Sequence, residues 1–391
     1  MSLPRLWAVF SLVLVAVTHN LWFGSEYPAI SLVALPWADS LALRWLSSLV
    51  LVAALLLVAR ASMRLQKSWL LVSAALWVSF LLDQHRMQPW AYQMAIYGLI
   101  FAAIPSDSAR RTLIPLVASI YIYSALGKFD YQFAHTVGQD FLSAATKLFG
   151  GIPNHFDLPS RAKLAMLFPS FELLAGVGLL LKPTRKIAGV MVIAMHLGLI
   201  SLLGPWSLDH STGVLVWNFA LMVQAYILFV KGERDTRREQ STVPTLVWAL
   251  VFAVMIAPAS ERFGYWDHWT SWALYAPHTS RVEIEVHKSA IDQLDPELQQ
   301  VAAEGEGGWR RLSIGRWSLD QRGVPVYPQG RYQLGLAMQI ADQAGLKQEI
   351  RATLRGVADR WTGKRETTRM LGRDEIQREL ARYWLTAVEP R

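Results

Sequence analysis

Residues 41–59 read Leu41-Ala-Leu-Arg-Trp-Leu-Ser-Ser-Leu-Val-Leu-Val-Ala-Ala-Leu-Leu-Leu-Val-Ala59, with a single charge, Arg44, near the start. A helix crosses the hydrocarbon of a bilayer with about 20 predominantly apolar residues, and this stretch has that length. Similar apolar blocks recur between residues 6 and 258. They predict spans at 6–23, 41–59, 69–82, 90–104, 112–128, 165–181, 186–203, 213–230 and 243–258. The expected fold is an all-α polytopic membrane bundle of about nine transmembrane helices over 1–260. An interfacial aromatic linker follows at 261–275, and a small C-terminal α+β extramembrane domain at 276–391.

Composition agrees with that class. Of 391 residues 53% are hydrophobic and only 17% charged, against about 25% charged in ordinary soluble domains. There is no cysteine, which excludes thiol nucleophiles, cysteine-ligated zinc and iron–sulfur clusters. The net charge of +8 sits largely in short connections, where Lys and Arg carry topological information, so no nucleic-acid partner is expected. Arg60, Arg64 and Lys67 follow the second segment, Arg110 and Arg111 the fourth, Lys182, Arg185 and Lys186 the sixth, and Lys231, Arg234, Arg237 and Arg238 the eighth. The alternate connections are poor in positive charge. By the positive-inside rule the N-terminus is cytoplasmic and the C-terminal domain extracytoplasmic, which in a bacterium means the inner membrane and the periplasm. Arg5 before an apolar run resembles a signal peptide, but the run continues through Leu21, Trp22 and Phe23 without a small-residue cleavage site, so a retained first helix is expected.

Trp266, Trp269, Trp272 and Tyr275 suit a membrane–water interface. Beyond them Arg281–His287 alternates as a half-buried strand does. Trp309–Leu319 and Val324–Tyr327 flank a plausible turn at Asp320–Gly323. Tyr332–Ala344 and Asp374–Leu385 look helical.

Ionisable residues inside spans are costly and face the protein interior or a water-filled cavity. Here they gather towards one side of the membrane. His19 and Asn20 end the first segment; Asp83, His85 and Arg86 end the third; Lys128 and Asp130 end the fifth; Glu172 lies early in the sixth; His210, Trp217 and Asn218 lie near the start of the eighth. His196 is roughly 15 Å along the seventh at helical rise. That asymmetry predicts a polar pocket open to the outer side and roofed by the C-terminal domain. Lys128, His196 and Glu172 are the catalytic candidates; His19, Asp83, Arg86, Asp130, His210 and Asn218 are the substrate-binding candidates. Each has a plainer reading as well. Helix ends carry polar residues in any case, His19 can bond a neighbouring carbonyl, and Lys128 can snorkel to the headgroups or pair with Asp130 or Glu172. Ala175, Gly176 and Gly178 allow Glu172 to be held close against a neighbouring helix. Glu172, His196 and His210 offer metal donors, but they follow no recognised spacing, and no metal is predicted.

The pieces Ile120-Tyr-Ile-Tyr-Ser-Ala-Leu-Gly-Lys-Phe-Asp130, Glu172-Leu-Leu-Ala-Gly-Val-Gly-Leu-Leu-Leu181, Thr184-Arg-Lys-Ile-Ala-Gly189 and Met195-His196 occur in an order that resembles the membrane domain of the vitamin K-dependent γ-carboxylases, the type members of the HTTM (horizontally transferred transmembrane) family. The likeness covers about a quarter of the chain. It implies a reduced quinone, vitamin K-like, as cofactor or substrate, with Lys128 as the base that deprotonates it and His196 orienting the reacting molecule. The family carries two lysines in tandem where this chain has Gly127-Lys128. It also has a large lumenal portion, where only the 116 residues of 276–391 form the extramembrane domain here, so peptide-directed carboxylation is not expected to carry over. The chain is also faintly similar to the DoxX and MauE families, of which a quinone-handling version is compatible with the absence of cysteine. The leading expectation is a membrane enzyme for a quinone or lipid-like small molecule. The alternatives are a non-catalytic membrane subunit that recruits a protein partner through the C-terminal domain (330–345 and 374–385 as docking surface) and a proton-coupled transporter.

Overall fold

The structure is a computed structural model that describes all residues except 1, 25, 34–36, 38–39, 61–64, 154–155, 232–242 and 384–391. Arg64, Arg234, Arg237, Arg238 and Leu385 therefore lie outside the described residues. The first two thirds are helical: α1 (Leu3–Val17), α2 (His19–Phe23), α3 (Leu41–Ala59), α4 (Leu65–Leu82), α5 (Pro89–Ala103), α6 (Ser106–Lys128), α7 (Tyr131–His135), α8 (Val137–Thr146), α9 (Leu158–Ala165), α10 (Leu167–Leu180), α11 (Arg185–Leu203), α12 (Thr212–Ala225, extended by a π-turn over Tyr226–Val230) and α13 (Thr245–Ile256).

Each predicted apolar segment is helical, but nine spans are not supported. Among the described residues five helices are long and apolar enough to cross a membrane: Leu41–Ala59, Leu158–Leu180, Arg185–Leu203, Thr212–Val230 and Thr245–Phe263. Local chemistry explains the shortfall. The first predicted span breaks at Thr18, whose hydroxyl donates back to the Leu14 carbonyl at 2.6 Å, leaving α1 short. The helix α5 has only 15 residues, and twelve of them are buried. A helix apolar all round belongs inside a protein, and α5 is a core helix. The helix α6 carries Asp107, Arg110 and Arg111 in its first turns.

The C-terminal part holds β1 (Arg281–His287), α14 (Pro296–Gln300), β2 (Ala302–Glu304), β3 (Trp309–Leu312), α15 (Ile314–Arg322), α16 (Gly330–Gln343), β4 (Ile350–Arg355), β5 (Thr367–Leu371) and α17 (Arg373–Leu380). The strands form one antiparallel sheet in the order β2-β3-β1-β4-β5. The strand expected at 281–287 is present. Of the Trp309–Leu319 stretch expected to flank a turn, only Trp309–Leu312 is a strand, because Ile314, Trp317, Ser318 and Arg322 recur at helical spacing on the buried side of α15. The expected turn at 320–323 is the end of that helix, closed by Gly323 at φ 67°, a conformation suited to glycine. Val324–Tyr327 is not a strand. The helix α16 is almost wholly buried, so it packs within the protein and leaves little free surface.

Buried charge holds the sheet domain to the helices. The Arg322 guanidinium, 1% exposed, donates to Asp83 Oδ2 at 3.1 Å, Leu21 O at 3.0 Å and Tyr27 O at 2.9 Å. Arg331 and Asp267 form a two-pronged pair with N–O distances of 2.6 and 2.5 Å. The His85 ring hydrogen-bonds the Pro325 carbonyl through Nε2 at 2.8 Å.

Removing one partner of a buried pair leaves the other charge uncompensated, at about 3–5 kcal/mol. Arg322→Met should therefore lower the melting temperature sharply in detergent, and Arg322→Met with Asp83→Leu should recover part of the loss. An unaffected single variant would contradict this account. Burial first, and then the neighbouring Arg322 cation, push the His85 pKa down to about 4, below the 6.5 of an exposed ring. The neutral ring thus contributes stability that is present above pH 6.5 and lost as pH falls towards 4, about 3 kcal/mol in all. His85→Gln keeps a donor for Pro325 and cannot titrate, so its melting temperature should fall less between pH 7 and 4.5 than that of wild type.

Candidate functional site

A cavity of about 730 Å³ lies between the helices and the sheet domain. Its walls come from α6 (Tyr121, Ser124, Lys128), α10 (Phe171, Glu172), α11 (His196) and α12 (Trp217, Asn218), and from the loops 268–279 and 324–328. The lining is mainly apolar with a few convergent polar groups, the usual make-up of a small-molecule site. The roof expected from the C-terminal domain is there in Val324, Pro325, Val326 and Pro328.

Close helix packing sets the polar geometry. A Cβ added to Gly176 would lie 3.0 Å from the Tyr121 Cβ and 3.0 Å from Ile122 Cγ1, so α10 lies against α6 with no room to spare. One turn earlier on α10, Glu172 meets Lys128: Nζ to Oε2 is 2.6 Å, with both side chains largely buried. Nζ also donates to Ser124 Oγ at 2.6 Å and Ser124 O at 3.1 Å. Three acceptors use the full donor capacity of an ammonium. Lys128 is therefore an ion-paired cation here, and the pairing anticipated with Asp130 or Glu172 is with Glu172.

A second polar chain crosses the same cavity. His196 Nε2 is 2.9 Å from the Tyr121 hydroxyl, and Nδ1 is 2.9 Å from Asn218 Oδ1. Asn218 in turn donates to Val214 O, which leaves its carbonyl facing the ring. The amide oxygen only accepts, so His196 Nδ1 is the protonated nitrogen and Nε2 accepts from Tyr121. No hydrogen bond joins His196 to Lys128 among the described residues; they share walls of one cavity. His210 also lines it, its ring edge-on to Tyr275 at 5.6 Å.

The remaining candidates lie elsewhere. His19 is exposed, its Nδ1 near the Ala16 carbonyl. Asp83 serves the Arg322 lock and holds the His85 backbone N–H at 3.0 Å. Arg86 spends its donors on Trp22 O, Arg44 O and Ser47 Oγ. Asp130 caps α7 through the Phe133 N–H and pairs with Arg262 at 2.9 Å and His278 Nδ1 at 3.1 Å. Glu172, His196 and His210 do not form a cluster with metal-ligand proximity; among the described residues the group that does is Glu261, His268 and His278.

No motif in the sequence marks that group as a set. Glu261 Oε1 is 2.7 Å from His268 Nδ1, and Glu261 Oε2 is 3.0 Å from His278 Nε2. In the 261–275 stretch that carries it, Trp266 is exposed, whereas Trp272 is buried against Tyr92. Trp272 and Tyr275 adopt φ of 60° and 58°, unusual for aromatic residues, and fold the loop back over Glu261. Burial disfavours a charged His278, yet the hydrogen bonds to Asp130 and Glu261 outweigh it and raise its pKa. Tyr121 was missed too. For Tyr121 the partner, His196, lies 75 residues away on another helix, so no local spacing marks it, whereas Glu261, His268 and His278 lie close in the chain but follow no regular metal-ligand spacing. The signal available was three ionisable residues, Glu261, His268 and His278, just after the last apolar segment.

No family model, curated protein or solved structure matches the chain.

If the close approach of α10 to α6 sets the Lys128–Glu172 pair, Gly176→Leu should cost about 1–3 kcal/mol by overpacking. Gly198→Ala on α11, where an added Cβ meets nothing within 4 Å, should be neutral or gain up to about 1 kcal/mol from helix propensity. Melting temperatures of the two variants beside wild type check this, and equal effects would refute it.

Proposed function

We propose that this chain is a membrane-embedded enzyme whose cavity binds a lipid-soluble, quinone-like molecule, with Lys128 and Glu172 as its proton-handling pair. The observation that carries the reading is the buried Lys128–Glu172 contact in the wall of an otherwise apolar cavity. A purely structural ion pair needs no such space beside it, and buried pairs are on balance poor stabilisers. The volume falls within the range of small-molecule pockets and accommodates a quinone ring with part of an isoprenoid tail.

The chemistry follows from the geometry. At rest the pair is ammonium and carboxylate. Passing one proton from Nζ to Glu172 gives a neutral amine beside a carboxylic acid, and a water-poor cavity lowers the cost of that exchange because two charges vanish together. The amine then takes the proton of a quinol hydroxyl, which makes it the general base. His196, held between Tyr121 and Asn218, presents a fixed ring to the substrate and does not take the first proton. The likeness to the HTTM family supports the same roles for Lys128 and His196. The charge pattern of the connections supports an inner-membrane location with a cytoplasmic N-terminus and the sheet domain on the other side.

The deciding experiment is mass spectrometry of small molecules extracted from the purified protein, followed by turnover of an added naphthoquinol read from its absorbance. Wild type should carry an enriched quinone or isoprenoid that Lys128→Ala and His196→Ala lose. Lys128→Arg keeps a cation beside Glu172 but stays protonated, so it should retain ligand and lose turnover. Full turnover with Lys128→Met would end the assignment of the base.

A further inference from the structure

We propose that Glu261, His268 and His278 bind a divalent transition-metal ion, zinc by their donor set, at the edge of the cavity. The inference rests on these residues alone and does not need the quinone reading. Two imidazole nitrogens, His268 Nδ1 and His278 Nε2, converge on one carboxylate, and the three donor atoms lie within 4.8 Å of one another. Two histidines and a glutamate make up a common zinc set that leaves a fourth position for water or substrate. The same set also suits non-haem iron. Donors around tetrahedral zinc stand about 3.3 Å apart, given metal–ligand bonds of about 2.0–2.1 Å. The contacts of 2.7 to 3.1 Å seen here open to that spacing with side-chain shifts of a few tenths of an ångström, and the ion takes the place of the proton shared along each contact.

The surroundings are those of a ligand site. A metal-bound histidine characteristically donates its other nitrogen to a carboxylate or carbonyl, which fixes the ring and strengthens the donor. His278 Nδ1 stands 3.1 Å from the Asp130 carboxylate and 3.3 Å from Arg262 Nη2, and Arg262 in turn anchors Asp130 at 2.9 Å. His268 also bonds the backbone of Ala276. All three donors are largely buried, His278 completely, so a bound ion would be shielded from bulk water on the protein side. His268, Ala276 and Pro277 also line the cavity, which gives the fourth coordination position an outlet into it. An ion there would stand in the wall of the cavity that contains Lys128 and Glu172.

The test uses the full chain in detergent, stripped with a chelator and dialysed, then titrated with cobalt(II) alone. Wild type should take up one equivalent with visible d–d absorption, and zinc should displace it. His268→Asn and His278→Asn should abolish the bands. Asp130→Asn retains a cap for α7, so it should bind the same one equivalent 10- to 100-fold more weakly, as the loss of an outer-shell partner does. Glu172→Gln should bind as wild type does, which separates this site from the Lys128 pair. Less than a tenth of an equivalent on folded wild type would overturn the proposal. So would one equivalent whose affinity and spectrum are the same in all three site variants. Because the wild-type titration is decisive by itself, a histidine variant that fails to fold does not rescue the idea.

Discussion

A charge taken out of water must be met by another, and the architecture follows from how the fully buried Arg322 and Asp83 meet that demand. Each is costly alone, and only the docked arrangement of sheet domain on helices brings them together. The carbonyls of Leu21 and Tyr27 complete the guanidinium's shell. The loop that follows Arg322 then has one place to go: Val324, Pro325 and Val326 run over the cavity, and the Pro325 carbonyl lands on His85. The roof of the cavity is thus a consequence of the lock.

The same domain grips the helix that carries Lys128. Arg360, just beyond β4, donates to Phe129 O and Leu126 O at 2.9 Å each, and its own carbonyl receives the Tyr131 N–H at 2.8 Å. These groups satisfy carbonyls that a helix end leaves open. From the opposite side, the Gly176 contact presses α10 onto α6. Lys128 is fixed between an arginine clamp at its helix end and a glycine-permitted packing surface one helix away.

Much of this was legible in the sequence, because apolar blocks and strand alternation are local signals. The helical segments and the β1 strand have such signals, and five of the nine polar candidates (Lys128, Glu172, His196, His210 and Asn218) line one cavity. Hydropathy did not separate helices that can cross a bilayer from those that serve as core; the difference lies in α5, whose apolar surface is buried by protein on every side. The strand β4 alternates clearly, with Ile350, Ala352 and Leu354 on its more buried face, so its signal is present in the sequence. The strand β5 has four of five residues exposed and offers little apolar pattern to read. The site was half legible. Lys128, Glu172, His196 and Asn218 were recognisable as costly residues in apolar surroundings, whereas Asp83, Arg86 and Asp130 looked the same and turned out to serve docking, anchoring and capping. What separates the two groups is the partner, and partners such as Arg322 lie more than two hundred residues away in the chain.

Arg322 and Arg360 have a consequence for biosynthesis. A chain emerges from its N-terminus, so every helix that walls the cavity is made before the residues that cover it and clamp α6. For that interval the nascent protein holds a hydrophobic basin with an ionisable pair in its wall and no lid. The basin is then open to whatever apolar molecules the surrounding medium holds. Closure by the last third of the chain makes maturation of the site a late event in the protein's life, set by the folding of a domain that contributes none of the Lys128–Glu172 pair.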